Sequence, residues 1–385
     1  MMTMKSGTTF FLRLGALLLC LATPQLAAAQ EAPKPAEPAP APAPAPDPDK
    51  VTLNFFKGTE VGGLVDGYYL WNSNKTAPMF HAFDASHNSF DVSMAELWLG
   101  KSPTTDSPVG YKIRLNFGHA SSVMTPATDS DYKYIEEAYG SYLAPAGKGL
   151  QIDFGKFVTN AGAEVIEAKD DWNYTRSLLF QNAIPFTHTG IRLTYSPNDK
   201  VTLMGGVVNG WNTVIDQNTG KTVMASITLK PNAATQIVEN YIGGPEQAND
   251  STDFRNLSDT VVSYTVNPIV SLLANYDYGR DTVNNVAQTW QGIAGYAKIQ
   301  ANKIVAIVPR VEWFQDKQGF TTGTAQNLSD ATLTIEIKPA DNFMWRIEYR
   351  GDFSNKSPFI DSTGTAQKNQ NMLVLGFLYS FSSKS

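Results

Sequence analysis

The sequence predicts an all-β chain, a transmembrane antiparallel up-and-down β-barrel of about sixteen strands, preceded by a leader and a proline-rich spacer. Three observations carry this. The last segment, Asn371 to Phe381 (NMLVLGFLYSF), alternates apolar with small or polar positions and ends in an aromatic. In a strand, Leu373, Leu375, Phe377, Tyr379 and Phe381 share one face. Segments of the same kind recur through the body, with connections that alternate short and long. No apolar run past residue 22 reaches the roughly 20 residues of a membrane-crossing helix, so any crossing must be made by strands.

Taken in order, residues 1–29 read as a secretory signal. Lys5 and Arg13 accompany the apolar run Phe10 to Ala22, and Ala27-Ala28-Ala29 before Gln30 fits the small-residue cleavage pattern. Cys20, the only cysteine, falls inside that leader, which leaves no thiol for disulfides or metal. Removing Lys5 and Arg13 leaves 28 basic against 36 acidic residues, a formal charge of -8. That sign argues against a nucleic-acid partner. Residues 30–50 are dominated by Ala/Pro alternation, which cannot bury a core and extends as polyproline II, a spacer or partner segment.

From residue 51 to 385 the chain repeats one unit. Residues 51–56 either pair briefly or enter the pore. Strands are expected near 60–71, 90–100, 109–118, 133–144, 149–157, 187–195, 201–208, 222–230, 235–242, 257–266, 269–278, 289–299, 303–314, 329–337, 343–351 and 371–381. Many have nearly pure faces: Phe343, Trp345, Ile347 and Tyr349 oppose Met344, Arg346, Glu348 and Arg350. Alternation alone also suits a soluble sandwich. The connections separate the two. Tight turns at 196–199, 230–232, 267–268, 300–302 and 338–341 interleave with longer polar loops at 209–221, 243–253, 279–288, 315–327 and 352–370. An up-and-down barrel keeps that rhythm and an even strand count returns both ends to one rim. Pro309 removes a ladder donor inside one strand, where a bulge is expected. The aromatic content of 11% supplies interface girdles against lipid.

Sixteen strands leave an aqueous lumen. The longest connection, about 158–186, is the third long loop, and it sits in a segment, Phe154 to Tyr195, that also carries a family likeness. Gly155-Lys156-Phe157, Gly162, Glu164, Glu167, Asn173-Tyr174, Arg176-Ser177, His188 and Gly190, together with Gly63-Leu64-Val65-Asp66-Gly67-Tyr68-Tyr69, resemble the outer-membrane β-barrel porins of the BBP2 type, with a fainter similarity to phosphate-selective porins. The resemblance implies the bacterial outer membrane after Sec-type export, surrounding lipid, an inward-folded third loop that sets the bore, and passive diffusion of small hydrophilic solutes or ions. By analogy with porins of this size it also admits a homotrimer.

Two uses of the loop charges stand side by side. Glu164, Glu167, Asp170 and Asp171 could face a wall carrying Arg176, His188 and Arg192, giving a transverse field at a constriction. Alternatively Glu164 or Glu167 pairs with Arg176 to pin the loop. Trp172 and Tyr174 either stack on sugars or pack locally. Lys112, Arg114, Arg346 and Arg350 are further pore-lining candidates, opposed by Glu96, Glu312, Glu336 and Glu348, so no single-sign ladder for phosphate emerges. No catalytic residue, cofactor or metal is expected: only His81, His87, His119 and His188 are available, and His81 with Asp84 and His87 offers at most a loop site. No Gly-x-Ser-x-Gly elbow, phosphate loop or His-Glu-x-x-His helix is present. The alternatives to a channel are a plugged structural or adhesin-type barrel and an outer-membrane hydrolase.

Overall fold

The structure is a computed structural model that describes residues 57–383; the expected leader, spacer and 51–56 segment lie outside the described residues. Among the described residues eighteen strands form: β1 (Glu60–Asn72), β2 (Ser89–Lys101), β3 (Val109–Phe117), β4 (Ile135–Ala144), β5 (Leu150–Val158), β6 (Thr187–Asn198), β7 (Val201–Val208), β8 (Thr222–Asn232), β9 (Thr235–Pro245), β10 (Phe254–Thr265), β11 (Val270–Val283), β12 (Val286–Gln300), β13 (Val305–Asp316), β14 (Gln326–Ala340), β15 (Phe343–Ser354), β16 (Phe359–Ile360), β17 (Ala366–Gln367) and β18 (Asn369–Ser382). All but β16 and β17, a small hairpin of their own, close one antiparallel barrel of sixteen strands. Among the described residues no helix is long and apolar enough to cross a membrane.

The closing strand does what its alternation requires. β18 pairs with β15 on one side and β1 on the other, with Trp71 opposite Leu373 and Gly62 opposite Ser382. Leu373, Leu375, Tyr379 and Phe381 are exposed on the outer wall. Phe343, Trp345 and Phe377 cluster edge to face beside them, an aromatic belt near the rim where β1 begins and β18 ends. The intervening positions are not water-lined: Met372, Val374 and Leu378 are buried inside the barrel.

The expected turns and loops are corrected at several points: the tight turns expected at 196–199, 230–232 and 338–341 fall largely within β6, β8 and β14, and the hairpins close at 199–200, 233–234 and 341–342. The long loop at 279–288 is absent, because β11 and β12 stay paired out to Val283 and Val286. Asn284 and Asn285 close them at φ 51° and 64°, the left-handed pair that a tight hairpin requires and asparagine tolerates. The loop at 315–327 shrinks to 317–325. Asp316 organises it by accepting from the backbone N–H groups of Gly319, Phe320, Thr321 and Thr322 at 2.7–2.9 Å. Pro309 causes no bulge either: Tyr296 opposite Arg310 and Ile299 opposite Ile307 keep one register, and Pro309 pairs with Leu333 across β14. The missing donor opens a gap in the ladder without shifting it.

One bulge brings two charges to the same face. Between β3 and β4 the register passes from Arg114 opposite Glu137 to Leu115 opposite Ile135, leaving Glu136 as the extra residue. Consecutive Glu136 and Glu137 are therefore both buried beside Arg114, which strict alternation would forbid.

The lumen and its inner loop

Segment 159–186, the third long connection (L3), lies within the barrel, as its partners establish. Asn160 meets Asn240 on β9, and the N–H groups of Gly162 and Ala163 reach Asp259 on β10 and Asn275 on β11. The loop then crosses to the opposite wall. Tyr174 and Thr175 donate backbone N–H groups to Glu348 on β15 at 2.7 and 3.0 Å, and the Tyr174 hydroxyl donates to Asp66 on β1 at 2.7 Å. A short helix, α1 (Leu178–Asn182), is capped by Ser177, whose hydroxyl accepts from the Phe180 N–H. Its first N–H, Leu178, donates to Glu312 on β13 at 2.7 Å.

Three wall arginines hold the loop by its carbonyls. Arg310 donates to the Thr175 carbonyl at 2.6 Å while pairing with Glu164 (3.1 Å) and Asp330 (2.9 Å). Arg346 pairs with Glu336 at 2.8 Å and donates to the carbonyls of Ala168, Asp171 and Asn173. Arg350 bridges Asp330 and Asp352 and donates to the Arg176 carbonyl at 2.6 Å. Loop backbone that would otherwise need water is thereby satisfied by the wall.

Apolar packing completes the lock. Phe83, from the first long connection at 73–88 (L1), meets Phe180 edge-on and Phe186 at a tilt, with the Arg176 guanidinium 5.2 Å from its ring centre. Tyr174 lies against Gly376, where an added Cβ would stand 2.3 Å from the ring. Trp290 lies over Gly279 and donates its indole N–H to the Ala183 carbonyl at 3.2 Å. L1 is tied down as well: His81 pairs with Asp84 and, at 3.1 Å, with Asp352. Burial, the largest influence, and the Arg350 guanidinium press the imidazolium to release its proton. Asp84 and Asp352 outweigh them, and the His81 pKa stands above its ordinary value.

The opposite wall is different. Inward-facing Arg192, Thr194, Met204, Ser226, Thr228, Gln236 and Val238 are only half-buried. Between L3 and this side lies a cavity of about 440 Å³ lined by Lys112, Arg114, Glu137, Tyr139, Glu164 and Glu167 among others. A second, of about 200 Å³, shares Lys112 and Tyr139 and continues to Glu60, Lys101 and Gln151.

The expected charge pattern is corrected at several points. Arg176 belongs to the loop and binds the loop's own carbonyls of Val165, Tyr174 and Ile166, with Asp171 at 3.2 Å. Glu164 pairs with Arg310, and Glu167 with Arg114, so the acids meet arginines other than those anticipated. His188 is buried between the Gly210 carbonyl and Thr159, and Arg192 pairs with Asp153 at 2.9 Å above the Phe157 ring. Neither faces a loop acid. Asp170 is bound to Lys169 on an exposed edge, and Lys112 sits over the Trp98 ring at 3.9 Å. Tyr174 is wholly buried and offers no stacking surface to a solute. His81 and His87 have separate partners, since His87 accepts from the Asn72 N–H. Asp259, Asn275 and Trp290 hold the loop with no local motif to mark them, and Asp66 stands in the sequence only as part of the family likeness; the polar residues on their strands' inner parity were the available signal.

The model of the family described as beta-barrel porin-2, OmpL-like, matches residues 58–381. The chain belongs to this family. It is a porin-type barrel of the bacterial outer membrane. Among solved structures, this BBP2 barrel is similar to the outer membrane channel DcaP of Acinetobacter baumannii (TM-score 0.56, 14% identity, 84% of this chain and 97% of that one). It is similar also to an anion-selective porin from Comamonas acidovorans (0.58, 9%, 84% and 99%) and to the trimer form of OmpT of Vibrio cholerae (0.56, 12%, 84% and 99%). At these identities the likeness concerns the fold. No curated protein matches the chain.

Proposed function

We propose that this porin-family barrel passes small hydrophilic solutes and ions by diffusion, along the side of the lumen that L3 leaves open. The observation that carries the reading is the division of the lumen: one wall is sealed against L3 and L1, while β6–β9 keep half-buried inward side chains and a cavity lies between L3 and β3–β4. Lys112, Arg114, Glu137 and Tyr139 line that path on the wall side, Glu164 and Glu167 on the loop side. L3 sets the bore by filling the remainder. Its ladder of wall contacts makes it a fixed obstruction, because moving it would strand buried charges without partners. With both signs on the path, selectivity is weak. Assembly as a homotrimer is taken from the likeness to the trimeric Vibrio protein and is checked by the mass of the detergent complex.

Single-channel recording in a planar bilayer tests the reading. Wild type should show a small, steady conductance, and deletion of residues 161–181 should raise it severalfold in protein that still shows heat-modifiable gel mobility. Unchanged conductance in that folded variant would mean that L3 does not set the bore. A silent wild type that conducts only after the deletion would favour a plugged barrel, the reading supported by the apolar packing of L1 on L3.

A further inference from the structure

The sealed wall opens again toward the rim of the short turns. Between L3 residues 169–172 and the β12–β13 and β14–β15 turns lies a cavity of about 870 Å³, larger than the one beside Arg114. Lys298 and Gln300 at the end of β12 and Glu336 and Lys338 near the end of β14 line it, with Lys303 and Asp341 from the turns. Asp170 lines both cavities, so this recess opens onto the path beside L3. Its charge is not balanced. Glu336 is shared by Lys298 at 2.7 Å and Arg346 at 2.8 Å, while Lys169 is matched by Asp170 and Asp171 by Arg176. Lys303 and Lys338 have no ion-pair partner among the described residues, and Asp341 is the remaining acid of the lining. The recess therefore carries surplus positive charge, and its concave wall focuses that field on a solute.

A second feature lies in the same recess. Trp172 lines it and is only half-buried. Its backbone is fixed on both sides, because Arg346 binds the carbonyls of Ala168, Asp171 and Asn173. The uncovered part of the indole is thus held in place before any solute arrives, which lowers the ordering cost of binding. Gln300 donates through Nε2 to the Asn302 and Val305 carbonyls, and Asn302 accepts through Oδ1 from the Ile304 and Val305 N–H groups. Gln300 Oε1 and Asn302 Nδ2 are left for hydroxyl groups. An indole surface, ammonium groups and amide groups in one recess match a solute that combines an apolar ring face, an anionic group and hydroxyls. That chemistry is the chemistry of an acidic sugar.

We propose that Trp172, Lys303, Lys338, Gln300 and Asn302 form a binding site for acidic monosaccharides beneath L3, the indole packing on the ring and the lysines taking the carboxylate. The proposal names a solute class for the diffusion path and rests on that reading for its role. Its test is binding, which needs no conduction, so either can fail alone. Sodium glucuronate is titrated calorimetrically into the full chain, refolded in a sugar-free detergent. Wild type and the control Lys148→Gln, on the β4–β5 turn, should bind glucuronate saturably at one site. Glucose, which lacks the charge, and acetate and inorganic phosphate, which lack the ring, should bind about tenfold more weakly. The double variant Lys303→Gln, Lys338→Gln alters two exposed side chains and should weaken glucuronate about tenfold. Trp172→Ala should do the same and Trp172→Phe should restore part of the loss. Retained heat-modifiable mobility certifies that each variant is folded. No saturable glucuronate binding in wild type, equal affinity for glucose or phosphate, or undiminished binding in the folded double variant overturns the proposal.

Discussion

The two sides of the lumen are made from the same kind of strand yet behave as different materials. On β13, β14 and β15 the inward side chains Arg310, Thr334, Arg346, Glu348, Arg350 and Asp352 are buried, each bonded to L1, L3 or a neighbouring strand. On β6 to β9, Thr194, Met204, Ser226, Thr228 and Gln236 face inward and remain half-buried. The first wall functions as a protein core that happens to be charged, the second as a wetted surface. The difference lies in what leans on them, because a charge inside a barrel costs little beside water and much beside packed protein unless its partners are complete.

The comparison can be broken most forcefully at Arg310. Arg310→Ala leaves Glu164, Glu312 and Asp330 buried without their shared cation and should cost about 3–5 kcal/mol, read as a lower midpoint in urea titration of the folded, heat-modifiable form. A variant as stable as wild type would mean that this wall is wetter than described. Next is Gly376→Val, whose side chain must enter the Tyr174 ring. It should cost about 1–3 kcal/mol by overpacking, and pairing it with Tyr174→Ala should recover part of the loss. Tyr174→Phe alone removes the donor to Asp66, a change of about 1 kcal/mol.

A pH series sharpens the same contrast at L1. Because the His81 pKa is raised by Asp84 and Asp352 in the folded state, its contribution is complete below the ordinary imidazole value and fades as pH rises through the folded value. The stability gap between wild type and His81→Gln should therefore narrow in alkaline buffer; a gap that is constant across pH would remove the charged pairing. The smallest effect belongs to the open wall, where Ser226→Ala should stay within about 0.5 kcal/mol of wild type in the same urea titration.

Much of the barrel was legible because a membrane strand must satisfy its backbone through neighbours and show lipid a continuous apolar face. That is why Leu373 to Phe381 and Phe343 to Tyr349 could be placed from parity, whereas the Pro-Asn turns were expected two to three residues early, the hairpins closing at 199–200 and 233–234. Local signals failed where two strand ends went on pairing past a polar stretch, at Asn284-Asn285, and where Pro309 sat in a ladder already held on its β14 side. The loop charges were recognised as a set. Their partners could not be, since Glu164 and Arg310, or Glu167 and Arg114, are brought together only when L3 crosses the closed barrel.

By itself, then, the sequence determined the strands, their outward faces, their even number and the family, all consequences of periodicity and of what lipid tolerates. Which half of the lumen is filled, which carboxylate meets which arginine, and why Met372, Val374 and Leu378 are apolar on a face expected to meet water were decided only by tertiary structure. The physical reason is range: parity acts between neighbours two residues apart, whereas the inner loop's hydrogen bonds and ion pairs join groups far apart in the chain that are brought together only by closure of the barrel.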